Sequence, residues 1–300
     1  MKSRRKIILY LGLCIWTTCA ADLRAEIRDA TPEELDVLNV EIQHLESIAA
    51  MDGSSLEALA MNTNAPYEDR SAAIDILAKD PSTHVDALER LIADPRLPSL
   101  RYAAIEAIEP ARPDLAIQAI HVLLQEVSQI PMEQSSIDIS IAIRASGLLA
   151  RLGDGSGFPF VVNQLLHSPR TGDQRSAIGA LDSFFYMKEL KPYVPLVEYI
   201  DLTLSQLANI DEKNRGKTER LLCSAIYSLY GLHAVETIPE FHRWLGDPRS
   251  APVRAALEAN LRWLEALKAE LDQGQPDKRD ALKIVPGVDP AWKLPKAVRD

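Results

Sequence analysis

Cysteine is scarce in this chain of 300 residues, which contains only three. Cys14 and Cys19 lie in the N-terminal segment, so the rest of the chain keeps Cys223 alone and cannot form an intramolecular disulfide. The neighbours of Cys223 are mainly apolar, which indicates a buried small residue and not a reactive nucleophile. Stability must therefore come from packing.

Basic residues are also fewer than acidic residues. The sequence has 33 Lys and Arg against 43 Asp and Glu, a formal net charge of −10. Residues 1–21 hold four basic residues and no acidic one, so removing them makes the charge −14. This balance argues against a nucleic acid or an anionic lipid surface as partner. No apolar run reaches the about 20 residues of a membrane-spanning helix, so we predict no membrane span in the mature chain.

Motifs that carry chemistry are missing as well. The six His residues are scattered, with no HExxH and no pair four apart on a helix. The sequence "GDGSG" at 153–157 lacks the Lys of a phosphate-binding loop and reads as a turn between two helices. No GxSxG nucleophile elbow is present. We therefore predict a protein that is not an enzyme, with no catalytic residue, no metal and no cofactor.

The N-terminus has the three parts of a secretory signal peptide. A basic start precedes an apolar stretch of ten residues at 7–16, and small residues suited to a signal peptidase follow. We expect cleavage near Ala20 or Ala21 and a periplasmic or secreted mature protein. Two alternatives stay open: a retained N-terminal anchor and lipidation at Cys19.

Helical periodicity runs through almost all of the remaining chain. Apolar residues recur at spacings of three and four, for example in "PDLAIQAIHVLLQEV" at 113–127, and strand-like alternation is hard to find. Short breakers such as "ADPRLPS" and "SPRTGD" separate these segments. Short helices joined by short turns predict an all-α fold of antiparallel helix pairs.

One phrase recurs at 94–108, 168–182 and 247–261. Each copy has Asp or Ser, then Pro-Arg, four variable residues, and an Arg followed by Ala and aliphatic residues. Helices headed by such an Arg begin at Arg70, Arg101, Arg144, Arg175, Arg220 and Arg254. They are spaced by 31, 43, 31, 45 and 34 residues, and this spacing is typical of a helical solenoid.

The turn before each Arg carries a polar residue in most copies. Thr63, Asp94, Ser168 and Asp247 each precede the repeated Arg by seven residues. We expect these side chains to accept hydrogen bonds from the Arg of the following helix. Ile137 and Lys213 occupy the equivalent place in two other repeats, so we expect the series of bonds to be interrupted there.

The segment "LARLGDGSGFPFVVNQLLHSPRTGDQRSAIGALDSF" at 149–184 resembles a HEAT repeat of the short bacterial type. "ALERLIADPRLPSLRYAAIEAI" and "HRWLGDPRSAPVRAALEAN" resemble the same repeat. The resemblance implies an all-α solenoid of about six helix pairs, in which B helices line a concave side and bind other proteins. It implies structural and not catalytic roles for the residues that match the motif. These are Arg70, Asp94, Arg101, Arg175, Asp247 and Arg254.

The chain accordingly divides into four predicted segments. They are a signal peptide at 1–21, an N-terminal helical cap at 22–55, a HEAT-like solenoid at 56–271 and a Pro-rich C-terminal tail or cap at 272–300. We expect the tail to fold back over the last helix pair, because the ends of solenoids need capping. The alternative is that it docks on a partner through Trp292.

These observations predict an exported, non-enzymatic scaffold that binds a protein or peptide in the cell envelope. On an idealised helix, Ala104, Ile105 and Ile108 face the core. The candidate binding residues are at outward positions. In this helix they are Tyr102, Glu106 and Glu109, and one repeat earlier they are Ser71 and Asp75. Short HEAT-like repeats also resemble those of bilin lyases. A lyase-like enzyme and an accessory subunit of an envelope complex are therefore the alternative functions.

Overall fold

The computed structural model of this chain describes residues 32–94, 98–131 and 137–280. These residues are helical, with no β-strand among them, so the all-α prediction is confirmed for this part of the chain. The predicted signal peptide and the tail beyond residue 280 lie outside the described residues. No helix in the described ranges is long and apolar enough to cross a membrane.

Thirteen α-helices lie in the described ranges. They are α1 (Pro32–Ala49), α2 (Gly53–Met61), α3 (Tyr67–Leu77), α4 (Val85–Ile92), α5 (Pro98–Ile108), α6 (Pro113–Val127), α7 (Ile137–Arg151), α8 (Phe158–His167), α9 (Thr171–Leu181), α10 (Val194–Gln206), α11 (Glu212–Gly231), α12 (Ile238–Gly246) and α13 (Arg254–Asp272). α13 ends at Asp272, next to the boundary at 271 predicted between the helical repeats and the tail. Contacts divide the chain into two compact units, which meet in sequence at Arg112 and Pro113.

The first unit consists of paired helices. α2 packs against α3, α4 packs against α5, and α3 contacts both α1 and α5. Ala60, Ala73 and Ala104 are fully buried, and their small side chains let the helices approach closely. Ile105 and Ile108 are fully buried as well, which confirms the predicted core face of α5.

The second unit repeats this pairing over a longer segment. α6 packs against α7, α8 against α9, α10 against α11 and α12 against α13. The second helices of the pairs also touch in succession: α7 contacts α9, α9 contacts α11, and α11 contacts α13. Within this unit the second helices therefore form one layer. We call α3, α5, α7, α9, α11 and α13 the B helices.

The turn at 152–157 shows why glycine is used between α7 and α8. Gly153 has a φ of 86°, a left-handed conformation that ends α7, and Asp154 accepts a hydrogen bond from the backbone N–H of Ser156. A Cβ atom on Gly157 would lie 2.8 Å from the Cα atom of Ser146 on α7. The "GDGSG" sequence is thus a turn that caps two helices, as predicted.

After α13 the chain turns back on the second unit. Gly274 has a φ of 85°, and the next residues, 275–280, form a segment that we call the clasp. The Arg279 side chain is 8% exposed and forms ion pairs with Asp277 at 2.9 Å and with Glu236 at 3.0 Å. Lys188 pairs with Asp277 and Asp280. Residues 275–280 are therefore folded back on the second unit.

Candidate functional site

The predicted binding residues of the first unit lie on two neighbouring B helices, α3 and α5. Asp75 and Glu106 are exposed, whereas Ser71 and Glu109 are half-buried. Tyr102 is only 4% exposed, so its predicted outward position is wrong. The ring packs into the core, and only its hydroxyl reaches the surface, where it donates a hydrogen bond to Glu106 Oε1 at 2.9 Å.

Asp75 and Glu106 form a small acidic site with the Tyr102 hydroxyl. Burial and, to a smaller extent, the negative charge of Glu106 together raise the pKa of Asp75 to about 6, although the positive charge of Lys79 opposes them. A cation placed between these carboxylates would relieve their repulsion. The predicted site residues are thus brought together in part, since Asp75, Tyr102 and Glu106 share one surface.

Arg254 does not bind Asp247, the turn residue seven positions earlier, so the expected bond is not formed in the last repeat. Asp247 accepts from the backbone N–H of Arg249 at 2.9 Å and pairs with its guanidinium at 2.6 Å. Arg254 donates instead to the carbonyl of Leu245 at 2.7 Å. The local pair wins because closing a loop of two residues costs less chain entropy than reaching the next helix.

Two of the repeated Arg residues, Arg70 and Arg254, satisfy a carbonyl at the end of the preceding helix. Arg70 Nε donates to the carbonyl of Ala60, the penultimate residue of α2, at 2.8 Å, just as Arg254 does at the end of α12. Arg70 and Arg101 are buried, whereas Arg175 and Arg254 are exposed. The identical motif residue therefore occupies two different environments.

The Ser-Pro-Arg turn at 168–170 has its own buried network. The Asp173 side chain accepts from Ser168 Oγ at 3.0 Å, from Ser140 Oγ at 3.3 Å and from Arg170 Nε at 2.7 Å. An open cleft of about 730 Å³ lies beside it, with Asn214 on its wall. Because Arg170 neutralises Asp173 within the network, the arrangement holds the turn together rather than exposing a charge to a ligand.

A row of aromatic rings in the second unit runs from the turn after α9, past the end of α11, to α13, and sequence reasoning did not find it. Its members, in order, are Tyr186, Phe185, His233, Tyr230, Trp263 and Tyr227. Successive ring centroids are 4.7, 4.9, 6.3, 5.0 and 6.4 Å apart. We call these six residues the aromatic row.

The aromatic row is open to solvent over most of its length. Tyr186, Tyr227, Tyr230 and Trp263 are 44%, 47%, 38% and 47% exposed. Aromatic residues make up only 6% of the sequence, so this concentration on one surface is unusual. Large exposed apolar patches of this kind mark binding surfaces. Tyrosine and tryptophan suit them because each combines a rigid apolar ring with a polar tip.

Asp182 lies beside the aromatic row at the end of α9. The surrounding protein raises the pKa of its carboxyl to about 6, because burial opposes ionisation more strongly than the hydrogen bond with Ser228 favours it. Within residues 137–280, no cation is paired with this carboxylate. The row therefore combines apolar rings with one carboxylate that lacks a counter-ion.

Replacing Asp182 with Asn should stabilise the protein at neutral pH and not at acidic pH. The pKa of Asp182 is about 6 in the folded state against 3.8 for the free side chain. The folded state thus holds its proton longer, and stability falls as the pH rises from about 4 through 6. The Tm of Asp182→Asn should exceed that of wild type at pH 7.5, and the difference should vanish near pH 4.

Asp201→Asn provides the control for the pH dependence. Burial would raise the pKa of Asp201, but hydrogen bonds from Arg243 and Trp244 outweigh it and lower the pKa. Its stabilising effect is therefore present at neutral pH and lost in acid, the opposite sign. A Tm difference for Asp182→Asn that stays constant between pH 4 and 7.5 would contradict the assigned pKa.

Cys223, the one cysteine among the described residues, lies in surroundings that do not activate its thiol. Burial, followed by the charge of Glu219, raises the pKa of Cys223, which keeps the thiol protonated at neutral pH. In the part of the chain that the structure describes, no group of three His, Cys, Asp or Glu side chains could hold a metal ion. His233 belongs to the aromatic row, and burial lowers its pKa with the help of the nearby positive charge of Lys278.

No protein-family model, curated protein or solved structure matches this chain.

Proposed function

We propose that this chain is an exported, non-enzymatic scaffold, an α-solenoid of HEAT-like helix pairs that binds a protein or peptide in the cell envelope. The aromatic row, formed by α11, α13 and the turns that follow α9 and α11, is its main contact surface. The signal-like sequence of residues 1–21 supports export. The function rests on one observation, the exposed and continuous row of rings from Tyr186 to Tyr227.

The pairing of helices within each unit supports the solenoid. In both units the B helices contact one another in succession, as α3 with α5 and α9 with α11. In a repeat array each unit packs only on its neighbours, which gives this pattern of contacts. Arg70 and Arg254, which match the repeat motif, make the same bond to the end of the preceding helix.

The chemistry of the row supports a protein or peptide ligand. Tyrosine and tryptophan are enriched in protein interfaces, where a few buried aromatic residues account for most of the binding free energy. The uncompensated Asp182 carboxylate beside the rings favours a ligand that carries a basic residue. The net negative charge of the whole chain acts in the same direction.

Capture from an envelope extract tests the proposal. Immobilised protein lacking residues 1–21 should retain a discrete partner, and Tyr227→Ser combined with Trp263→Ser should reduce the amount retained at least tenfold, since each lost hot-spot ring costs about 2 kcal/mol of binding. The matched control is Val194→Ser with Leu202→Ser, which changes two residues of α10 that are 46% and 44% exposed. Equal capture by the row variant and the control variant would contradict the proposal.

The same assay distinguishes the row from the acidic site of the first unit. Reversing charge at Glu106 and Glu109 should weaken capture without lowering the Tm if the originally predicted residues also contact the partner. Capture unchanged by this reversal, together with loss in the row variant, would assign binding to α11 and α13 alone. If only the charge-reversal variant lost capture of the partner, the aromatic row would not be part of the interface.

A further inference from the structure

The aromatic row lies next to the place where the described chain ends. The clasp at residues 275–280 is fixed at two points, by Arg279 to Glu236 and by Lys188 to Asp277 and Asp280. Lys188 is two residues from Tyr186, the first ring of the row. The last residues of the clasp are therefore held at one end of the row.

The clasp and the row also share contacts and a cavity. A cavity of about 130 Å³ is lined by Phe185 of the row and by Lys188, Leu232 and Arg279 around the clasp. His233, the third ring of the row, feels the positive charge of Lys278. Its backbone φ of 51° is unusual for a residue other than glycine and fixes the ring between Phe185 and Tyr230. The clasp is thus continuous with the surface formed by the rings.

The 20 residues after the clasp have the chemistry that such a surface binds. Residues 281–300, "ALKIVPGVDPAWKLPKAVRD", contain Pro286, Pro290, Pro295 and Trp292. Proline-rich segments favour the extended polyproline II helix, which docks on aromatic surfaces at a low cost in chain entropy. The segment carries four Lys and Arg against two Asp, a charge that complements the unpaired Asp182.

The length of the segment is sufficient to cover the row. A polyproline II helix rises about 3.1 Å per residue, so 20 residues reach about 60 Å. The row consists of five ring-to-ring steps, none longer than 6.4 Å. The segment therefore reaches the last ring, Tyr227, from its fixed start at Asp280, with length to spare.

The geometry points to the C-terminal segment 281–300 as the occupant of the aromatic row in the same molecule, bound through its prolines and Trp292. The row is then a docking site for a proline-rich, basic peptide. An envelope partner must compete with the protein's own tail for it. This inference goes beyond the proposed function, because docking of the tail is measured without any partner present.

Fluorine NMR on the whole protein tests the inference. In protein lacking residues 1–21, incorporation of 5-fluorotryptophan labels Trp244, Trp263 and Trp292, one in the core, one in the row and one in the tail. We expect a soluble gadolinium chelate to broaden the Trp263 signal weakly in wild type and several-fold more in Trp292→Ala. Trp244 is buried and serves as the internal reference for folding.

Variants on the row give the reciprocal measurement. Tyr230→Ala should shift the Trp292 signal and increase its broadening several-fold, whereas Leu202→Ala on α10 should leave it unchanged. Broadening of Trp263 that is the same in wild type and Trp292→Ala would overturn the inference. So would protection of Trp263 that disappears on dilution, since the tail of a second copy would then be the occupant.

Discussion

Replacing Trp244 with Ala should lower the free energy of unfolding by about 3–5 kcal/mol, the range for removing a large aromatic side chain from a packed core. Trp244 is 1% exposed and packs edge-on against Phe241, with ring centroids 5.3 Å apart. Both residues lie on α12, and their rings fill the core of the second unit. Urea-induced unfolding followed by far-UV circular dichroism measures the loss.

The indole N–H of Trp244 makes a separate contribution to the free energy of unfolding. Its Nε1 donates to Asp201 Oδ1 at 2.7 Å, and Arg243 binds the same carboxylate with both terminal nitrogens, at 2.8 and 2.9 Å. This bond links α12 to α10. Trp244→Phe retains most of the buried apolar area and removes only the donor, so we expect it to cost about 1–2 kcal/mol.

Trp263→Ala is the control for the size of the side chain. Trp263 is 47% exposed on α13 and contacts the rings of Tyr227 and Tyr230. Removal of an exposed side chain leaves no cavity, so the loss should stay below about 1 kcal/mol. Equal losses for Trp244→Ala and Trp263→Ala would contradict the assignment of one to the core and the other to a binding surface.

The sequence predicts the helices well because the apolar period that defines them is local. Ala104, Ile105 and Ile108 were placed in the core from spacing alone, and all three are fully buried. Tyr102 was misplaced because a helical wheel gives the direction of the Cα–Cβ bond and not the position of a long side chain. Its ring can turn from a boundary position into the core while its hydroxyl stays at the surface.

The aromatic row could not be predicted from local periodicity, since it depends on which residues of different helices become neighbours. Tyr186, Tyr230 and Trp263 are far apart in sequence, and each alone reads as an ordinary exposed residue. A signal is nonetheless present. Tyr227, Tyr230 and Trp263 follow the repeated Arg of their helices by seven, ten and nine residues. Aligning the B helices on that Arg brings these aromatic residues to similar heights.

The bond of Asp247 differs from the prediction for an energetic reason. The spacing of seven residues between Asp247 and Arg254 recurs in the sequence, but recurrence alone does not identify the partner. The nearer Arg249 offers both a backbone N–H and a guanidinium to the same carboxylate. That local competitor is part of the repeated phrase itself, and it leaves Arg254 to bind the carbonyl of Leu245.

Replacing Arg70 with Met should lower the free energy of unfolding by about 2–3 kcal/mol, because it leaves a buried acceptor without its charged donor. Arg70 is 3% exposed, and its Nε lies 2.8 Å from the carbonyl of Ala60. Met keeps most of the apolar stem and removes the guanidinium, so the loss measures the polar contact. Urea-induced unfolding of wild type and Arg70→Met at neutral pH measures this difference in the free energy of unfolding.

The same substitution at other copies of the repeated Arg tests whether its effect on stability depends on the surroundings of each Arg or is common to the motif. Arg175 is exposed, and in its repeat the neighbouring Gln174 donates to the carbonyl of Ser168 at 3.0 Å. Arg175→Met should therefore change stability by no more than about 0.5 kcal/mol. Arg254→Met should fall between the two, because its bond to Leu245 resembles that of Arg70 but is open to water. Equal effects at all three positions would mean that the repeated Arg acts through the helix that carries it and not through the carbonyl it caps.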